Sequence, residues 1–341
     1  MAGMSLYYRP IAQTDAARPA DALPLAGGWC WFDHVEVLSR GRSRGRIGAA
    51  DLPAAVLARL CAPRAPLAGL DWSEPRLMGI VNTTPDSFSD GGRFADAAAA
   101  ITAAAALADA GADILDIGGE STRPGAAEVA VAEEIARTAP VIAALQAARP
   151  GVPLSIDTRK APVARAALDA GAVMVNDVAA LGFDAGMADL LAGSGAALCL
   201  MHAQGGPETM QADPRYDDVL LEVYDFLEAR LAQAEAAGVA RSRILVDPGI
   251  GFGKTQAHNL ALLRGLSLFH GLGCPILLGA SRKRFIGSIG GTERADARAP
   301  GTLAVTLAAL AQGVQLHRVH DVAEVAQGLR LWRAITMGDA Q

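Results

Sequence analysis

From residue 76 onward the chain repeats one pattern: a short unbroken apolar run, a polar residue at its end, then a segment rich in Ala and Leu. The apolar runs fall at 77–82, 114–119, 154–158, 174–178, 197–202, 244–249, 275–281 and 316–321. Strands covered on both faces need hydrophobicity that is continuous rather than alternating, so each run predicts a buried strand. Helical patterns lie between them at 96–110, 133–148, 162–170, 187–192, 219–236, 259–268, 302–311 and 322–335. Gly111, Gly171 and Gly195 each follow such a segment, where a glycine takes the left-handed conformation that stops a helix. Eight strands alternating with eight helices over about 260 residues predict a (β/α)8 TIM barrel of the α/β class. An open doubly wound sheet has the same periodicity. The polar groups favour the barrel, because all eight sit at or just after the strand ends where a barrel carries its site.

Residues 1–75 lack this rhythm. Within them 29–37 suggests a strand or hairpin, 39–46 a turn-like Gly/Arg/Ser stretch, and 52–60 a short helix. They are expected to form an N-terminal extension packed on the barrel domain 76–341 and covering its bottom.

Composition narrows the function classes. A net charge of −6 provides no global field for nucleic acid or an anionic membrane, so neither is expected as a partner, and any anion site must be built locally. The longest mostly apolar run, 97–108, is too short to span a bilayer. Arg9, Asp15, Arg18 and Asp21 interrupt the first thirty residues, which rules against a secretory signal and predicts a soluble, cytoplasmic protein. Cys30, Cys61, Cys199 and Cys274 form no CxxC pair and are read as small hydrophobes rather than zinc ligands or disulfides.

The strand ends carry the chemistry. After the first comes MGIVNTTPDSFSDGG, a long loop with the amide of Asn82, the carboxylates of Asp86 and Asp90, and Phe88. Oxygen groups of this kind suit Mg²⁺, which keeps several waters and takes other ligands from substrate phosphates. Pro85 and the Gly91–Gly92 pair suggest a segment that moves and then closes. After the second strand, Thr122 and Arg123 present a hydroxyl and a planar cation suited to an oxyanion. Asp157, the Asn176–Asp177 pair and Asp247 end later strands. Carboxylates there are costly unless paired, so either they cap the following segments or they accept hydrogen bonds from a donor-rich ligand with an amidine-like edge. The segment GIGFGKT after Asp247 has one residue too few for a nucleotide phosphate loop, so its glycines are read as admitting a ligand beside Phe252. Ser281, Arg282, Lys283 and Arg284 end the seventh run. Along the eighth, Arg318 and His320 share one face and His317 the other, so Arg, His and Lys converge at one rim.

Taken together, MGIVNTTPDSFSDGG, DIGGESTRPGA, SIDTRKA, ND, MH, DPGIGFGK, GASRKRFIG and RVHDV occur in order, one per strand. In this the chain resembles the dihydropteroate synthase family of pterin-binding enzymes over residues 76–336. The resemblance implies a folate-biosynthesis transferase joining (7,8-dihydropterin-6-yl)methyl diphosphate to 4-aminobenzoate, with Mg²⁺ as cofactor, a homodimeric state and competition by sulfonamides. It implies that Asp157, Asn176, Asp247 and Lys283 hold the pterin. Asn82, also the metal ligand, would bind the diphosphate with Thr122, Arg123, Arg318 and His320. Phe88, Pro124, Phe252, Ser281 and Lys283 would frame the aminobenzoate. The groups expected to matter most for catalysis are Asp86, Asp90, Arg123, Lys283, Arg318 and His320. Thr83, Arg159 and Arg284 depart from the family pattern without removing a charged or metal-binding group, and Arg284 becomes a candidate for the benzoate carboxylate. Two competing readings are a corrinoid-linked methyltransferase on the same kind of barrel and a pterin-binding protein without catalysis.

Overall fold

In the computed structural model, which describes residues 5–83, 92–121, 125–206 and 209–338, the eight predicted strands form one parallel sheet. The strands are β6 (Arg76–Asn82), β7 (Ile114–Gly118), β8 (Leu154–Asp157), β9 (Met174–Asp177), β10 (Ala197–Met201), β11 (Ile244–Asp247), β12 (Leu277–Leu278) and β13 (Leu316–Val319), in the order β11-β10-β9-β8-β7-β6-β13-β12. A parallel bridge between Val246 and Ile276 joins the two ends, so the sheet closes and an open sheet is excluded. Every residue of β7 to β11 is buried, as the unbroken apolar runs require.

The outer layer is α2 (Gly92–Asp109), α3 (Val131–Ala148), α4 (Ala161–Asp169), α5 (Met187–Ser194), α6 (Val219–Ala236), α7 (Gln256–Arg264), α8 (Arg284–Gly290), α9 (Ala299–Leu310) and α10 (Val322–Met337). Gly195, at φ 72°, ends α5 in the left-handed form expected of it. Three expectations need correction. The run 275–281 is a strand only at Leu277–Leu278, because Pro275 has no N–H to give and the N–H of Ile276 goes to the side chain of Gln315 instead of a ladder carbonyl. The helix expected over 259–268 ends at Arg264, and a 3₁₀ turn, Leu266–Leu272, follows Gly265. The helix α8 was not expected at all, since Gly287 and Gly290 erase its pattern.

Residues before 76 form an antiparallel sheet of β1 (Tyr7–Pro10), β4 (His34–Ser39) and β5 (Arg42–Gly48), a small ribbon of β2 (Leu23–Pro24) and β3 (Trp31–Phe32), and the helix α1 (Ala54–Cys61). The Gly/Arg/Ser stretch is therefore mostly strand; only Arg40 and Gly41 turn, with Gly41 at φ 75°. Tyr7 donates to both carboxylate oxygens of Asp225 at 2.9 Å, Trp29 to the carbonyl of Leu310 at 2.9 Å and Ser267 to that of Pro10 at 2.8 Å, which fastens the extension to α6, α9 and the 3₁₀ turn.

The segment from Leu67 to Trp72 closes the bottom of the barrel. Leu67, Leu70 and Trp72 pack on Met78, Ile114, Met174, Leu245 and Leu316, which point inward from their strands. Side chains two residues apart on a strand share a face. One step up from this apolar plug therefore lie Asp116, Asn176, Asp247 and Arg318. The register of the sheet thus stacks a polar layer directly on a dry one.

Candidate active site

The polar layer is a hydrogen-bonded floor. Arg318 donates from Nε to Asp116 Oδ2 at 2.6 Å and from Nη2 to Asp157 Oδ2 at 2.7 Å. Asn176 donates to the same Oδ2 of Asp116 at 3.0 Å. The other oxygens, Asp116 Oδ1 and Asp157 Oδ1, are buried with no hydrogen-bond partner. Asp247 Oδ1 accepts from the Gly249 N–H at 2.7 Å. Buried polar atoms are nearly always satisfied, so two bare carboxylate oxygens in one buried layer mark it as a candidate floor for a hydrogen-bond-donating ligand. Burial pushes the Asp157 carboxyl up to about 7, against the pull of Arg318. Burial likewise pushes Asp247 up to about 6, opposed by the Gly249 N–H and by Lys283. Arg318, despite its burial, is held above its ordinary value by Asp116 and Asp157.

The carboxylates left ambiguous by the sequence now separate. Asp157 and Asp247 are buried in the inward-facing polar layer. Asp177 is not part of it: it accepts from the N–H groups of Ala179 at 2.9 Å and Leu181 at 2.7 Å, holding a turn in which Ala180 and Leu181 have positive φ. Asp116 is a floor residue that the motifs alone do not single out; its signal is an acid in the middle of an otherwise apolar strand.

Two walls rise from the floor. Lys283 stands with Nζ 4.1 Å from the centre of the Phe252 ring, a cation–π contact. Ser281 Oγ accepts from the His320 N–H at 3.1 Å and lies 3.0 Å from His320 Nδ1, which brings those two predicted residues together. The expected charge run beside them is not simply solvated. Arg282 is paired with Asp321, Lys283 covers Phe252, and only Arg284 is exposed. Asn82, at the end of β6, lies across the sheet from Gly118. The predicted site residues Asp86, Phe88, Asp90, Thr122, Arg123 and Pro124 lie outside the described residues.

A buried ionic cluster supports this rim, and sequence reasoning missed it. Lys160 Nζ donates to Glu120 Oε2 at 2.6 Å, to Glu134 Oε2 at 2.8 Å and to the Val129 carbonyl. Arg159 adds a second cation on Glu120 at 3.0 Å, and Thr158 donates to Glu134 at 2.8 Å. Two acids and two bases make the cluster neutral, which burial requires. Burial opposes the charge on Lys160, yet its bonds to Glu120 and Glu134 hold its pKa above the ordinary value. The cluster joins Glu120, beyond the end of β7, to the residues just after Asp157 of β8.

Comparison with known proteins agrees with this geometry. The family of pterin-binding enzymes matches over residues 78–320. The dihydropteroate synthase of Neisseria meningitidis serogroup B is 50% identical over 273 residues, covering 78% of this chain and 94% of that one. The dihydropteroate synthase of Xanthomonas albilineans, solved with 4-aminobenzoic acid, superposes with a TM-score of 0.75 at 48% identity, over 80% of this chain and 98% of that one. Its complex with 7,8-dihydropteroate gives 0.73 at 46%, with the same coverage. The chain belongs to the dihydropteroate synthase family of pterin-binding transferases.

Proposed function

We propose that the chain condenses (7,8-dihydropterin-6-yl)methyl diphosphate with 4-aminobenzoate, giving 7,8-dihydropteroate and diphosphate. The observation that carries this reading is the floor: buried acceptors with bare oxygens, matched to the donor-rich edge of a pterin. Relatives solved with 4-aminobenzoic acid and with 7,8-dihydropteroate support it.

In this reading Asp116, Asp157, Asn176 and Asp247 hold the pterin, with Lys283 above them. Phe252, Ser281 and Lys283 receive the arylamine, along with Phe88 and Pro124. Arg318 serves two ends. Its Nε and Nη2 are committed to the floor, while Nη1 has no hydrogen bond among the described residues and is available to the diphosphate. His320, Asn82, Thr122 and Arg123 complete that side. The bond from the methylene carbon to the diphosphate oxygen breaks, and its electron pair leaves with the diphosphate. The floor carboxylates stabilise the cationic pterin left behind. The amine lone pair then forms the C–N bond, and the surplus amine proton passes to solvent. No covalent enzyme intermediate is needed.

Asn82 offers one neutral oxygen, and its side chain has no hydrogen-bond partner among the described residues. Those residues contain no group of three or more His, Cys, Asp or Glu able to hold a metal. Such a donor set fits an ion that arrives with the diphosphate and keeps its waters, rather than a resident one. Asn82, with Asp86 and Asp90 nearby in sequence, would hold Mg²⁺, which supplies charge neutralisation to the leaving group when bound.

Purified protein with Mg²⁺ and both substrates is expected to form dihydropteroate and diphosphate in equal amounts, read by chromatography and a coupled diphosphate assay. Pterin binding without turnover would replace the enzyme reading by that of a binding protein.

The homodimer expected from the resemblance has a candidate surface. Leu331 and Ile335, four residues apart on α10 and so on one face, are 62% and 74% exposed. Light scattering behind size exclusion should give twice the chain mass, and Leu331→Glu should lower it. A monomeric parent chain would remove the proposal.

A further inference from the structure

Lys254 is a buried lysine with no ion pair among the described residues and no part in the mechanism above. Its Nζ donates to the carbonyls of Gly249 at 2.8 Å and Phe252 at 3.0 Å and lies 2.8 Å from His202 Nδ1, with the His202 carbonyl at 3.3 Å. An ammonium donates to all three short contacts, with His202 accepting at Nδ1; a neutral amine donates to the two carbonyls and accepts from Nδ1–H. Burial pulls the Lys254 pKa down to about 7, against the pull of Asp247, and in either protonation state Nζ holds the two loop carbonyls. Tyr216 and Phe226 pack against the His202 ring, Phe226 edge-on, and the charges that act on Lys254 are Asp247, which favours its protonation, and Lys283, which opposes it.

The loop around this side chain is unusual in its backbone. Gly249, Gly251 and Gly253 have φ of 68°, 84° and 61°, a left-handed conformation at every second position. A Cβ at Gly249 would fall 1.8 Å from the His202 carbonyl oxygen, and one at Gly253 2.3 Å from that of Gln204. The loop thus lies flat on the end of β10 and turns two carbonyls inward to Lys254 Nζ. With its carbonyl pinned inward, Phe252 turns its ring outward, to the place where Lys283 Nζ meets it at 4.1 Å.

We propose that Lys254 is an internal hydrogen-bond donor around which the 249–253 loop is wound, and that by fixing Phe252 it positions the wall against which the arylamine binds. It is a positioning residue, and the quantity it sets is the KM for 4-aminobenzoate. The inference rests on the aminobenzoate role assigned above to Phe252.

The test is steady-state kinetics of Lys254→Met beside the parent enzyme, with calorimetry of a pterin lacking the diphosphate. The expected result is a KM for 4-aminobenzoate raised on the order of tenfold or more, since a wall misplaced by about 1 Å is felt strongly in catalysis. Pterin affinity should fall less, by no more than about threefold, because Asp116, Asp157, Asn176 and Arg318 are untouched and only Asp247, through the Gly249 N–H, borders the loop. An unchanged arylamine KM overturns the inference, and so does an equal loss of pterin and arylamine binding, which would mark Lys254 as a general support. If Lys254→Met does not fold, His202→Asn carries the same test: it keeps the lysine and both loop carbonyls and removes the imidazole. A raised arylamine KM with intact pterin affinity supports the inference, and an unchanged one overturns it. Turnover by the parent with no shift in the variant removes this inference alone, whereas no turnover by the parent removes the underlying reading as well.

Discussion

Replacing Arg318 by Met should lower kcat/KM on the order of 10³-fold, the equivalent of about 4 kcal/mol. The side chain is similar in length, so the loss comes from charge rather than volume. In the native floor Arg318 stands between Asp116 and Asp157 at 2.6 and 2.7 Å. Without it, two buried carboxylates share one chamber and cannot both stay ionised, so one takes up a proton. That proton occupies an acceptor the pterin needs. Binding of the diphosphate ester loses more, because Nη1 goes as well. Calorimetry with the ester and with a pterin lacking the diphosphate separates the two contributions. Equal losses for both ligands would mean that Arg318 acts only on the floor and that the diphosphate is held by other groups.

This double role bears on how much of the site is visible in the residues alone. Asp157, Asn176, Asp247 and Arg318 could be found because each interrupts or ends an apolar run, and a charge in a buried strand needs a reason. Their grouping by substrate could not be read the same way. Arg318, placed with the anion-binding residues, turns out to be bonded to two floor carboxylates, a contact between residues 202 and 161 positions apart. Asp116 carried the same signal as the others but sits two residues before its strand ends. What sets its height is the step of two above Ile114, and that becomes visible only when the apolar plug is known. Glu134 is a harder case. An acid in the first turn of a helix is ordinary on electrostatic grounds, and nothing local distinguishes one that is buried against Lys160. The strand β5 was obscured by composition, since Arg, Ser and Gly read as a turn, while an edge strand at the surface tolerates them for its own reasons.

The floor also trades stability for binding, and Asp247→Asn should expose the exchange. Burial holds the Asp247 carboxyl at about 6, above its ordinary 3.8. A carboxyl whose folded pKa is raised binds a proton that the unfolded chain has already released. Its stabilising contribution is therefore greatest near pH 4 and is lost as pH rises through about 6. At pH 7.5 the native protein carries the full cost of a buried carboxylate, on the order of 2–3 kcal/mol at about 1.4 kcal/mol per pKa unit. Asparagine removes that cost and still offers an oxygen to the Gly249 N–H, so the variant should unfold at higher urea than its parent at pH 7.5, with the gain shrinking towards pH 4. Pterin affinity should fall about 100-fold, as a charge-assisted acceptor becomes a neutral one and an amide N–H₂ meets the donor edge of the ring. In the parent, the same raised pKa makes pterin binding tighten as pH rises from 5 to 7, with protons released on binding. A variant less stable than its parent at pH 7.5 would show that contacts of the ionised carboxylate outweigh its desolvation. Asp247 would then belong to the scaffold, and its charge would not be held at a cost for the ligand.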